Sequence, residues 1–181
     1  MYYIAIIAPE AIDEQVKSWK LYLRDHFGCI VALKSPAHLT LISPFWMNTE
    51  LQQALQNSMQ EFSSSQHGFT LQLKNFDSFK PRVIFVQVMQ SDNLLQLKNI
   101  LEKHLLAHSQ FPIKEARAFH PHITLANRDL QKKDFGTAWE HFNKKNYETS
   151  FLVEGITLMK HNGLQWEPVH HAIFPLIYNQ T

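Results

Sequence analysis

The amino-acid sequence predicts an α+β fold with two pseudo-symmetric lobes, each a small antiparallel sheet backed by helices, around a central cleft. The first observation is a repeat: the quartet His38-Leu39-Thr40-Leu41 recurs as His122-Ile123-Thr124-Leu125, and 122 − 38 = 84 residues separate the two in a chain of 181. The second is that a helical segment and two apolar, strand-like segments follow each quartet. Related lobes of this kind face each other across a cleft.

The individual elements follow from hydrophobic periodicity and from turn residues. The predicted strands cover residues 2–8, 30–34, 38–45, 69–76, 83–89, 122–125, 150–160 and 169–177, and the predicted helices cover residues 9–26, 49–62, 92–109 and 130–143. Gly28 ends the first helix, and the turn at Ser35-Pro36 places the first quartet directly after a turn. The alternative to a true repeat is that helices and strands alternate here by chance, as they do in any α+β domain.

The overall composition limits the classes of partner. The formal net charge is +1, from 17 basic and 16 acidic residues, so nothing attracts the chain as a whole to a long polyanion such as duplex DNA. A nucleic acid would have to be held locally, at an end. Cys29 is the single cysteine, which excludes an internal disulfide, and no apolar run reaches the roughly 20 residues of a membrane helix. We therefore predict a soluble, cytoplasmic monomer with one bilobal domain over residues 1–181 and no membrane contact.

The two quartets carry the predicted chemistry. As strands, both place His and Thr on one face and the aliphatic residues on the other. Histidines on opposite walls of a cleft can act as base and acid near neutral pH, because imidazole titrates at about 6.5. In-line displacement at phosphorus needs that geometry, and threonine hydroxyls can bind the nonbridging oxygens. We predict His38 and His122 as the catalytic pair, Thr40 and Thr124 as phosphate contacts, and no metal or cofactor.

These residues resemble the two-histidine (2H) phosphoesterase superfamily, within its bacterial 2′,5′ RNA ligase-like group. The resemblance includes the proline-flanked stretch Phe119-His120-Pro121-His122-Ile123-Thr124-Leu125-Ala126 and the apolar strand that follows Pro81-Arg82. It implies a bilobal α+β fold and metal-independent opening of 2′,3′-cyclic phosphates to a 2′-phosphate, with 2′,5′ RNA ligation as the reverse reaction in some members. The implied substrate is an RNA 3′ end or a small cyclic nucleotide. Which histidine is the base is left open.

Three further residues are predicted to contact the substrate. Arg82 opens a strand and is a candidate for a phosphate or sugar contact, with a solvated surface charge as the alternative. Phe45, beside Trp46, is a candidate for stacking on a base, although the same aromatic residues could close the lobe. Many relatives have Ala-Arg directly after the second quartet. Here Asn127 stands between Ala126 and Arg128, so Arg128, the candidate for this substrate contact, lies one position further along the chain.

Two other functions remain open at this stage. The first is a noncatalytic module of the same fold that binds RNA ends or nucleotides. The second is a metal hydrolase that uses His104, His108 or His120. His104 and His108 have the i, i+4 spacing of helix-borne zinc ligands, but no Glu between them and no third ligand completes the motif.

Overall fold

The computed structural model describes residues 1–114 and 118–176. Its strands are β1 (Tyr2–Ile7), β2 (His38–Phe45), β3 (Phe69–Phe79), β4 (Val83–Val88), β5 (His122–Ala126), β6 (Glu148–Val153), β7 (Gly155–His161) and β8 (Trp166–Ile173). Its α-helices are α1 (Glu10–Phe27), α2 (Gln52–Ser63), α3 (Asp92–Leu106) and α4 (Phe135–Phe142), and short 3₁₀ helices lie at Ala32–Lys34 and Thr49–Leu51. Gly28 ends α1 in the left-handed conformation, with φ of 72°.

The strands form two four-stranded antiparallel sheets. One has the order β2-β1-β7-β8 and the other has the order β5-β4-β3-β6. We call them the first and the second sheet. The predicted α+β class with two antiparallel sheets is confirmed. Each quartet lies on an edge strand, β2 in the first sheet and β5 in the second. The neighbour of each edge strand is the strand that comes before it in the chain, β1 or β4, and one helix separates the two in sequence.

The structural repeat begins earlier than the sequence suggested. Its unit is strand, helix, quartet strand, helix: β1-α1-β2-α2 matches β4-α3-β5-α4, and the starting residues differ by 83 − 2 = 81, 92 − 10 = 82, 122 − 38 = 84 and 135 − 52 = 83. The two strands that follow the first quartet, β3 and β4, belong to the sheet of the second quartet. The repeat of quartet, helix, strand and strand in the sequence therefore does not coincide with one lobe, because each quartet strand pairs with the strand before it.

One continuous hydrophobic core joins the two sheets. The aliphatic members of the quartets, Leu39, Leu41, Ile123 and Leu125, are all buried in it. The helices connect the lobes symmetrically: α1 packs against β5, whereas α3 packs against β2. The edge strands that carry the histidines are thus held by helices of the opposite repeat. No helix within the described residues is long and apolar enough to cross a membrane.

Two predicted strands differ from the structure in kind, and a third differs in extent. Residues 30–34 form no strand, since the N–H groups of Ile30 and Val31 both donate to the Asp129 carboxylate instead of to the backbone of a neighbouring strand. The single strand predicted over 150–160 is two strands in different sheets, with the crossing at Gly155, where a Cβ would lie 2.5 Å from the carbonyl oxygen of Ala172. The last predicted strand, 169–177, ends at Ile173, and Ile177 lies outside the described residues.

Candidate active site

His38 stands at the start of β2 with its ring fixed by the turn before it. Its Nδ1 lies 2.8 Å from the carbonyl oxygen of Pro36, which can only accept, so Nδ1 carries the proton. The Ser35 hydroxyl lies 3.2 Å from the same nitrogen and 2.7 Å from the Tyr3 hydroxyl. The Tyr3 ring supports the imidazole, with 4.9 Å between the ring centroids. Nε2 of the neutral ring is therefore left with a free lone pair.

His122 repeats this arrangement at the start of β5. Its Nδ1 lies 2.6 Å from the carbonyl oxygen of His120, again two residues earlier. Aromatic rings enclose the imidazole: Phe79 meets it edge-on at 5.3 Å between centroids, and Phe85 lies at 5.0 Å. Within the described residues, Nε2 of neither catalytic candidate forms a hydrogen bond. Both rings therefore present the same nitrogen for chemistry.

Burial favours the neutral form of both imidazoles in the free protein. It lowers the pKa of His38 to about 4, against the opposing effect of the Pro36 carbonyl, and Lys20 and His122 lower this pKa further. Burial also lowers the pKa of His122, against the effect of the His120 carbonyl. The strands β2 and β5 contact each other, and a charge on His122 is one of the smaller effects that lower the pKa of His38.

A cavity of about 210 Å³ joins the two quartets. Its lining includes the polar residues His38, Thr40, Thr124, Lys20, Ser35 and Asn127. The structure thus brings three of the four predicted catalytic side chains to one cavity, whereas His122 is not part of its lining and contacts the rings of Phe79 and Phe85. The Asn127 Oδ1 atom is buried and has no hydrogen-bond partner within the described residues. A ligand that donates a hydrogen bond at this point would satisfy it.

Lys20 supplies a buried positive charge to this cavity. It projects from α1, is 3% exposed, and donates from Nζ to the Ser35 carbonyl oxygen at 2.9 Å. Burial lowers the pKa of Lys20 to about 8, and the nearby Asp13 carboxylate opposes this shift. A buried cation is costly unless it is paired, so its place beside His38 favours an anionic ligand.

The predicted substrate contacts fall in different places. Arg82 and Arg128 are both exposed and close together, since Nη1 of Arg82 donates to the Arg128 carbonyl oxygen at 3.3 Å, but neither lines the cavity. Phe45 is 7% exposed and packs on Tyr2 in the core. On β2 the alternation breaks after Leu41, because Ile42 is also buried, and register shifts in the β1–β2 ladder return Phe45 to the core side. The prediction that Phe45 stacks on a base is therefore corrected.

The histidines of the metal hypothesis are engaged elsewhere. His104 holds α3 against α2, with Nε2 3.0 Å from the Ser58 hydroxyl, and Nδ1 of His108 lies 2.9 Å from the His104 carbonyl oxygen. His120 contributes its backbone carbonyl to His122. Among the described residues, no three His, Cys, Asp or Glu side chains form a group that could hold a metal ion.

Sequence reasoning did not identify Tyr3, Lys20 or Trp166 as site residues. All three line the cavity, and the Trp166 indole meets the Tyr3 ring edge-on at 4.5 Å between centroids. Tyr3 could have been found, since it alternates on β1 with the core residues Ile4 and Ile6 and therefore faces the other side. Lys20 and Trp166 reach the cavity only through tertiary contacts.

A sequence profile of the 2'-5' RNA ligase superfamily matches residues 8–165, which include both quartets. The chain belongs to this superfamily. The predicted family membership is thereby confirmed.

Relatives and solved structures agree with that assignment. A candidate phosphoesterase of Bacillus licheniformis is 30% identical over 95 residues, and one of Bacillus pumilus is 31% identical over 96; each match spans 51% of this chain and 53% of the relative. The chain thus spans about half the length of the curated relatives it matches. The fold resembles Escherichia coli LigT complexed with NADP+ (TM-score 0.69, 27% identity, 97% of both chains) and TT0787 of Thermus thermophilus (TM-score 0.68, 19% identity, 96% and 97%).

Proposed function

We propose that this phosphoesterase-superfamily protein opens 2′,3′-cyclic phosphates, at RNA 3′ ends or on small nucleotides, by acid–base catalysis between His38 and His122. One observation carries the proposal: the two imidazoles have the same backbone-fixed tautomer on edge strands that contact each other, and both strands contribute to one cavity, with His38, Thr40 and Thr124 in its lining. In an in-line displacement the attacking and leaving oxygens lie on opposite sides of phosphorus. One histidine can act as the base for the attacking oxygen and the other as the acid for the leaving oxygen.

The reaction can be followed atom by atom. One histidine takes a proton from water at Nε2, and the water oxygen forms a bond to phosphorus. The bond from phosphorus to the 3′ oxygen breaks, and the other histidine gives its Nε2 proton to that oxygen, which leaves a 2′-phosphate. An RNA 5′-hydroxyl in place of water would form a 2′,5′ linkage by the same steps. The base and acid are both protein side chains, so the steps themselves require no cofactor.

The neighbouring groups suit the charge that develops. The hydroxyls of Thr40 and Thr124 can donate to the nonbridging oxygens, and the ammonium of Lys20 offsets their negative charge in a buried setting. A bound phosphate anion raises the pKa of an imidazole that faces it, which lets one histidine hold the proton that the leaving oxygen needs. Escherichia coli LigT has been solved with 3'-AMP, ATP and phosphate, which supports a nucleotide-sized phosphate ligand for this fold.

The direct test is hydrolysis of the four nucleoside 2′,3′-cyclic monophosphates and of a short RNA that ends in a cyclic phosphate, in the presence of a chelator. We expect turnover, and a 2′-phosphate as the only product isomer by chromatography against 2′ and 3′ standards. A 3′-phosphate product would contradict the proposed bond cleavage. Binding of these ligands without any product would favour the noncatalytic module, and activity that a chelator abolishes would favour a metal hydrolase.

A further inference from the structure

A second polar groove, of about 240 Å³, adjoins the active-site cavity. Lys20, Ser35 and Trp166 line both spaces, so the two meet along these three residues. The rest of the groove includes Lys17 and Lys34. Three structural elements therefore form its walls: α1, the end of the 3₁₀ helix Ala32–Lys34, and the β7–β8 turn with Trp166.

The charges of this groove are mostly positive and partly unpaired. Asp13, Lys17 and Lys20 follow each other on one face of α1, at the spacing of successive helical turns. The Asp13 carboxylate accepts from the Ala37 N–H at 2.5 Å, and Lys20 is bonded to the Ser35 carbonyl, so these two residues fix the turn before His38. Lys17 and Lys34 are exposed and form no ion pair or side-chain hydrogen bond within the described residues. Two free cations thus flank the path out of the cavity.

We propose that this groove binds a second phosphate group of the substrate, next to the phosphate that reacts. Lys17 and Lys34 would hold the second phosphate, and the nucleoside between the two phosphates would lie against the Trp166 indole at the shared boundary. The chain as a whole is nearly neutral, with a net charge of +1, so its total charge does not attract a phosphate to any particular place. The local pair of lysines attracts a phosphate to this groove. The inference rests on the proposed function and specifies its substrate: a cyclic phosphate whose nucleoside carries a further phosphate on its 5′ side.

Two kinds of substrate have that chemistry: a 5′-phosphorylated mononucleotide and the end of an RNA strand, where the second phosphate is a diester. The test compares kcat/KM for a nucleoside 2′,3′-cyclic phosphate, for the same compound with a 5′-phosphate, and for a dinucleotide that ends in the cyclic phosphate. We expect wild-type protein to prefer at least one phosphorylated form by about fivefold, the effect of two partly exposed ion pairs. Preference for the 5′-phosphate alone points to small nucleotides, and preference for the dinucleotide points to RNA.

The double variant Lys17→Gln, Lys34→Gln should reduce this preference to about one, as should raised salt, because both weaken exposed ion pairs. The matched control is Lys144→Gln, Lys145→Gln, which removes the same charge from the exposed turn after α4 and should keep the wild-type ratio. A wild-type ratio of one would overturn the inference, and so would an equal loss of preference in both double variants.

A binding measurement separates this inference from the proposed function. Calorimetric titration with a nucleoside 3′-monophosphate and with its 5′-phosphorylated form needs no turnover. If wild-type protein hydrolyses none of the cyclic substrates, the proposed function fails. Tighter binding of the doubly phosphorylated ligand, lost in the Lys17 and Lys34 variant but not in the control, would still support the second phosphate site. Equal binding of the two ligands by wild-type protein would overturn it.

Discussion

His38 and His122 each donate Nδ1–H to the backbone carbonyl two residues earlier, at 2.8 and 2.6 Å. The internal repeat is therefore preserved to the level of single hydrogen bonds, although the surroundings differ: hydroxyl groups and Lys20 near His38, aromatic rings around His122. An acid and a base need this combination. Different surroundings can separate the pKa values of the two imidazoles, while the shared backbone contact directs Nε2 of each ring in the same way.

Replacing either histidine by asparagine should remove turnover without unfolding the protein. The asparagine amide can still donate to the carbonyl that Nδ1 contacts, whereas Nε2 is lost. We expect kcat to fall about 10²- to 10⁴-fold in His38→Asn and in His122→Asn, the range for loss of a general acid or base. Steady-state hydrolysis of a cyclic nucleotide measures this, and His67→Asn, at an exposed loop position, is the control. Wild-type rates in either catalytic variant would contradict the mechanism.

The kcat/KM for cyclic nucleotides should be highest on the acid side of about pH 6.5. In the free protein burial holds the pKa of His38 at about 4 and that of His122 below its usual 6.5, and catalysis needs one protonated and one neutral ring. Raising the pH therefore removes the proton that the leaving oxygen requires. The optimum of kcat should lie higher, because bound phosphate raises the imidazole pKa. Measuring both profiles checks this, and a kcat/KM optimum on the alkaline side of neutrality would contradict it.

Lys20→Met should move the acid limb of the pH profile of kcat/KM to higher pH. The ammonium of Lys20 lowers the pKa of His38, so removing the charge makes this imidazole easier to protonate. We also expect KM for the cyclic phosphate to rise by at least several-fold, because a buried cation beside the phosphate is lost. Lys103→Met, at an exposed position on α3, should leave the profile unchanged. Loss of activity in Lys20→Met without any shift of the limb would indicate a purely structural role.

The candidate catalytic residues could be proposed from sequence because their signal is local. Alternation within each quartet separates the polar face from the core face, and the structure keeps it: Leu39 and Ile123 are buried. Alternation does not extend to Phe45, because the register of β2 against β1 shifts between Thr40 and Phe45, so the burial of Phe45 could not be predicted in this way. Lys20 gave no such signal, because its role depends on meeting Ser35, which lies 35 − 20 = 15 residues away and is brought there by the packing of α1.

The arrangement of the lobes was harder to predict than their class. Hydrophobic patterns located most strands but carry no information on which strands pair. Sequence order places the hairpin β3–β4 with the first quartet, which precedes the hairpin, whereas in the structure β4 pairs with β5. Residues 30–34 show the same limit: their apolar pattern favours a strand, and a distant carboxylate, that of Asp129, takes their N–H groups.

Thr40→Val and Thr124→Val should each lower kcat about 10²- to 10³-fold, the usual effect of removing one donor to developing negative charge. Valine keeps the shape and the β-branching of threonine, so the strand should be undisturbed. Thr137→Val, at an exposed position on α4, serves as the control in the same kinetic assay. If the two quartet variants raise KM but leave kcat unchanged, the hydroxyls bind the ground state and the proposed role in the transition state is wrong.

Asp129→Ala should destabilise the protein more than a typical surface substitution. One oxygen of this carboxylate accepts from the N–H groups of Ile30 and Val31, both at 2.7 Å, and so ties the segment after β5 to the segment that leads into the active-site turn. We expect the free energy of unfolding in urea to fall by about 2–4 kcal/mol, because two charge-assisted bonds are lost and two N–H groups need new partners. Asp129→Asn keeps an acceptor oxygen and should lose less. Asp134→Ala is the matched control, since that side chain forms no capping bond at the start of α4. Equal losses for Asp129→Ala and Asp134→Ala would show that the two bonds contribute nothing specific.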